Sequence, residues 1–136
     1  MLKGIRCLGV AALSALSLSC FSDNYNSATK RIDSLQAESH KTIDDVAYAD
    51  IMVEVGFSYE KRASILENEL ILSGNRSKGA CCEKLDDLEK ALSAYRDARD
   101  LYKGRDTAKY TTADYYFIMV QDKIETEKNC CGQNIR

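Results

Sequence analysis

Two pairs of adjacent cysteines, Cys81-Cys82 and Cys130-Cys131, constrain this chain more than any other feature. Between them Leu85, Leu88, Leu92, Tyr95, Arg99 and Tyr102 recur at spacings of three and four, the period of a helix stripe packed on its neighbours. The spacing predicts a helix over 83–103, opened by the first pair and central to a small bundle. A second apolar face, Ala113, Tyr116, Phe117, Val120 and Ile124, predicts a last helix over 112–128, capped by Thr111-Thr112-Ala113-Asp114 and reached through a short connection over 104–111. If these helices are antiparallel, the start of one lies beside the end of the other and the cysteine pairs meet.

Antiparallel chain sense favours Cys81 with Cys131 and Cys82 with Cys130, while Cys81 with Cys130 and Cys82 with Cys131 stays open. Bonding inside each pair would need a strained ring. A bridge closing a loop of about 50 residues contributes roughly 4 kcal/mol in the chain-entropy model, and a second, nested bridge much less. Four zinc-binding thiolates are the competing use. Adjacent ligands resist tetrahedral coordination of one ion and the usual spacer is missing, so neither a metal nor another cofactor is expected.

Upstream, Ala49, Met52, Gly56, Tyr59, Ala63, Leu66, Leu70 and Ser73 form a second stripe that stops at Gly74-Asn75. From about Ala28 a weaker period runs through Ile32, Leu35, Ser39 and Ile43. The chain has no proline, so nothing forces a helix to break. A single helix over 28–73 would nevertheless run about 69 Å, roughly twice the length of its partners. A break is expected near His40 to Thr42, where Thr42-Ile43-Asp44-Asp45 resembles a capping box. The fold class expected is all-α: a small antiparallel bundle of three to four helices over 28–131, stapled by disulfides, with a frayed tail over 132–136.

The N-terminal stretch has a different character. Lys3 and Arg6 precede an apolar run from Cys7 to Leu18, which closes on Ser17-Leu18-Ser19-Cys20 before polarity returns. That order is the pattern of a secretory signal peptide, too short for a comfortable membrane span. A small residue directly before a cysteine resembles the lipobox of bacterial lipoproteins. The resemblance implies a leader over 1–19, Cys20 as the lipid attachment residue and a short tether over 20–27. Ser17 stands where the family usually has Leu, a relaxed form similar to that of spirochaetes. The resemblance also implies a membrane lipid partner through acylated Cys20. Phe21, in place of an inner-membrane retention Asp, points to an outer-membrane or surface destination in the cell envelope. A plain secreted helical protein without lipid is the alternative. Export to an oxidising compartment agrees with disulfides at the four remaining cysteines.

Two fragments resemble the tetratricopeptide repeat. Met52, Val55, Gly56 and Tyr59 are similar to its first helix, and Ala91, Leu92, Tyr95 and Ala98 to its second, with Ala91 as the small residue facing Gly56. The two small residues stand further apart than in that family, so the resemblance implies an elongated helical hairpin.

Loss of the leader leaves 17 Lys plus Arg against 21 Asp plus Glu, a formal charge of about −4 without a basic patch, which argues against nucleic acid as a partner. The lone histidine, His40, has no nucleophile motif around it. Asp44-Asp45 and Asp86-Asp87 lack calcium-loop spacing and are expected on solvated faces or at helix starts. No catalytic residue is expected. Tyr95 and Tyr102 suit the core, whereas Tyr110 and Tyr115 are candidates for contact with a protein partner, because tyrosine joins a rigid apolar ring to a polar tip. The function expected is non-enzymatic: binding, adaptor or structural work at the bacterial envelope. A docking accessory or inhibitor of an exported enzyme is the alternative.

Overall fold

A computed structural model describes residues 14–74 and 78–132, with side chains from residue 23 onward except at 70, 72, 73 and 78. Most of the expected leader, residues 1–13, and tail residues 133–136 lie outside the described residues. Among the described residues four helices follow one another: α1 (Ser14–Ser39), α2 (Asp45–Ser73), α3 (Lys78–Tyr102) and α4 (Thr107–Cys131). Among the described residues there is no strand, and the architecture is an all-α antiparallel bundle.

The break after α1 falls in the expected place, but its chemistry differs. Thr42 closes the preceding helix, its hydroxyl donating to the Glu38 carbonyl at 2.9 Å. Asp44 caps α2, its carboxylate accepting from the Ala47 amide at 2.8 Å. Gly74, with φ 68°, ends α2 in the left-handed conformation that glycine adopts without a side-chain clash. Helix α3 begins at Lys78 and not at Glu83, so the first cysteine pair lies inside its opening turns.

The last helix also starts earlier than the expected Thr111-Thr112 cap. Asp106 accepts from the Lys109 amide at 3.0 Å, and the Tyr102 carbonyl takes the amides of Arg105 and Asp106 at 2.8 and 2.9 Å. Thr111 and Thr112 donate their hydroxyls backward to Thr107 and Ala108, as mid-helix threonines do. Gly132, expected to begin the frayed tail, caps α4 instead. The expected tether over 20–27 is part of α1.

Packing follows chain order: α2 lies against α1 and α3, and α3 against α2 and α4. The shared core runs through Ile32, Leu35, Met52, Val55, Tyr59, Leu85, Leu88, Tyr95, Tyr102, Val120 and Ile124. Helix α3 is central, as its stripe implied, but alanines carry much of its contact. Ala91, Ala94 and Ala98 are buried, whereas Leu92 and Arg99 are only partly so. Short side chains let neighbouring axes approach. The close approach at Gly56 is to Tyr95, four residues beyond the expected Ala91.

The disulfides join the start of α3 to the end of α4, in the pairing left open: Cys81 with Cys130 and Cys82 with Cys131, at Cα separations of 5.7 and 4.8 Å. This corrects the favoured pairing of Cys81 with Cys131 and Cys82 with Cys130. Chain sense alone considers displacement along the axes, which is about 1.5 Å per residue, whereas each residue also moves about 3.5 Å around the helix surface. A right-handed helix seen from its other end turns the opposite way. Successive residues of antiparallel neighbours therefore step sideways in the same direction, and the larger sideways step sets first against first and second against second.

Candidate binding groove

Helices α1 and α3 flank α2 and leave a groove of about 460 Å³ above it. Its floor is Tyr48, Met52, Val55 and Tyr59 of α2 with Ala94 of α3. Gln36, Ser39 and His40 form one wall; Lys90, Ser93 and Asp97 form the other. The stripe that makes α2 a core helix is thus wide enough to pack beneath both neighbours and to line the space between them. Ala94 adds to that space by being short.

Gln36 donates to the Tyr59 hydroxyl at 3.1 Å, and the Lys90 ammonium lies 5.8 Å from the centre of the Tyr59 ring. Lys90 also pairs with Asp86 at 3.0 Å, and that hydrogen bond holds its proton above the ordinary lysine range against the opposing effect of burial. Lys90 and Asp97 put charges of both signs on one wall. The groove thus combines an aromatic and thioether floor with polar edges, and its size falls in the range of ordinary ligand sites.

Beyond the Tyr59 end of the groove, an ion pair and its hydrogen bonds tie all three helices together. Arg62 of α2 donates to both oxygens of Asp87 at 2.9 and 2.8 Å and to the Thr29 hydroxyl at 3.0 Å. Its guanidinium also lies 5.2 Å from the centre of the Tyr25 ring. Bidentate Arg-carboxylate contacts of this kind are both strong and directional. Hydrogen bonding to Asp87 is the main cause that raises the Arg62 pKa, while burial is the main cause that raises that of Tyr25. Asp87 was expected on a solvated face with Asp86. Asp86 is exposed there, but Asp87 is 2% exposed and turned inward.

The opposite furrow, between α2 and α4, is bridged along its length. Asp50 meets Lys109 at 3.0 Å, Glu60 meets Lys123 at 2.6 Å, and Lys84 of α3 reaches Glu67 at 2.7 Å and Glu127 at 2.6 Å. Phe57 and Tyr116 meet edge-on with centroids 4.9 Å apart. Cavities of about 290 and 250 Å³ remain between these bridges.

The expected contact tyrosines are placed differently from each other. Tyr110 is half-buried and packs against the core. Tyr115 is 59% exposed on α4, beside Ile118 and Met119 on the same outward face. Tyr95 and Tyr102 are core residues. Cys20 lies on α1, and His40 sits in the turn after that helix, at the rim of the groove. The sequence signal that could have found the Arg62–Asp87 pair is positional: each lies next to a stripe residue, Ala63 and Leu88, on the facing sides of adjacent helices. No helix among the described residues is long and apolar enough to cross a membrane. Comparison with known proteins finds no match among family profiles, curated proteins or solved structures.

Proposed function

We propose that this chain is an exported bacterial lipoprotein, anchored through Cys20, that works without catalysis by holding an extended segment of an exported protein in the α1–α3 groove. The observation that carries the binding role is the groove itself: apolar Met52 and Val55 on the floor, with hydrogen-bonding and charged groups of both signs at the edges. Such a surface suits a segment whose side chains alternate between floor and rim while its backbone meets Gln36 and Ser93. The Ser19-Cys20 junction after an apolar run supports the anchor.

The test is site-specific photo-cross-linking in intact cells from a reactive side chain at Ser93, with Glu125 as a control on α4. A discrete adduct from position 93 that is lost when Met52→Trp fills the floor supports the groove. Adducts that are the same from both positions, or none from 93, overturn it. Labelled palmitate that enters the wild type but not Cys20→Ala supports the anchor, and its failure to enter either points to the plain secreted alternative.

A second reading rests on the exposed Tyr115, Ile118 and Met119 of α4. It makes the protein a docking accessory or inhibitor of an exported enzyme. Adducts from position 115 with the groove variant still active would favour it.

A further inference from the structure

We propose that the disulfide-clamped end of the bundle rests on the phospholipid bilayer and that the opposite end, with the open part of the groove, stands away from it. The inference rests on the lipid-anchor reading of Cys20 and adds the orientation of the folded body.

The hydrogen bonds from Arg62 to Thr29 and Asp87 mark one level across α1, α2 and α3. Cys20 stands nine residues before Thr29, Ile71 nine after Arg62 and Lys78 nine before Asp87. The three helices alternate in direction, so at about 1.5 Å per residue all three positions lie some 13 Å from that level toward the same end. The bridges of Cys81 and Cys82 bring the end of α4 to this end as well. An acylated Cys20 would therefore enter the bilayer beside the end of α2, the start of α3 and the clamp.

Two features turn this placement into an orientation. Helix α1 is continuous from Cys20, the first residue left after loss of the leader, to Ser39, so there is no loop between the attachment residue and the body to let it swing freely. Ile71 at this end is 65% exposed, an apolar side chain that gains by leaving water for the acyl boundary. Ser39 and His40, at the far rim of the groove, then stand about 28 Å along α1 from Cys20.

The chain has no tryptophan, so a single one reports its own surroundings. Ile71→Trp labels the clamped end, and Ile43→Trp, at a position 96% exposed in the turn before α2, labels the other. Both are surface positions, and circular dichroism checks that the fold is kept. Each lipidated full-length variant is reconstituted into phosphatidylcholine–phosphatidylglycerol vesicles with or without brominated acyl chains. The expected result is co-flotation of both variants, with loss of most of the emission from Ile71→Trp in brominated vesicles and none from Ile43→Trp. Co-flotation with equal quenching, with quenching at position 43 alone or with none at position 71 overturns the orientation and leaves the anchor standing. Failure of both variants to float overturns the anchor, and the orientation with it.

Discussion

The ring of Tyr95 lies directly on Gly56: a Cβ added at position 56 would come within 2.3 Å of Tyr95 Cε1. The ring has nowhere to retreat, because Glu60 accepts its hydroxyl and Phe57 and Tyr116 stack around it at centroid distances of 5.9 and 5.4 Å. A helix gains about 1 kcal/mol when glycine becomes alanine. Here the overlap reverses the sign. Gly56→Ala is expected to cost a net of about 1–3 kcal/mol, as overpacked cores do. Urea unfolding measures it, and the same change in a Tyr95→Ala background should be neutral or stabilising. An equally large loss in both backgrounds would show that the ring is not the cause.

The two bridges close almost the same loop, so they are redundant in entropy. Removing either alone is expected to change stability little, whereas removing both costs about 4 kcal/mol for a loop of about 50 residues. Connectivity has its own readout. Cys81→Ala with Cys130→Ala leaves one intact bridge and no new thiol, whereas Cys81→Ala with Cys131→Ala strands Cys82 and Cys130. Thiol counts in denaturant that came out the other way round would restore the nested pairing of Cys81 with Cys131 and Cys82 with Cys130.

Arg62 and Asp87 have side chains only 14% and 3% exposed, so each is costly without the other. Asp87→Ala is expected to lose about 3–5 kcal/mol, because it leaves an unpaired guanidinium in the interior. Arg62→Met with Asp87→Leu removes both charges and should recover most of that loss. Chemical denaturation of the three proteins provides the comparison, and a double variant as weak as the single would place the loss in packing.

Burial is the larger cause that raises the phenol pKa values of Tyr95 and Tyr102, and hydrogen bonds to Glu60 and Asp50 add to it. In the unfolded chain these phenols ionise at about pH 10. A raised native value means that their stabilisation is complete below that pH and is lost as pH rises beyond it. Thermal stability is expected to fall steeply above about pH 10, and less steeply in Tyr95→Phe. Phenolate absorbance should show the buried pair ionising only as the protein unfolds. At Asp50 burial acts upward but is outweighed by hydrogen bonds from Tyr102 and Lys109, so its contribution is present above the ordinary carboxylate range and fades as pH falls below it.

Periodicity of three and four was enough to identify α2 and α3, because a buried stripe must repeat with the helix. Helix ends were less legible. Thr42 and Asp44, or Thr112 and Asp106, carry similar capping groups, and which one caps depends on the backbone path that its neighbours allow. The groove was not legible at all: Gln36, Tyr59 and Ser93 lie on three helices and come together only through the packing of α1 and α3 on α2. Asp87 differs from Asp86 only in the side of α3 on which it falls.

The amino-acid sequence by itself determined an all-helical bundle with two cysteine pairs at one end, because apolar spacing and helix direction are properties of single segments. The tertiary structure alone decided which cysteine meets which, where Arg62 finds its carboxylate and where space is left between helices. Those outcomes depend on the rotation of each helix about its own axis, and only the joint packing of neighbouring side chains sets that rotation.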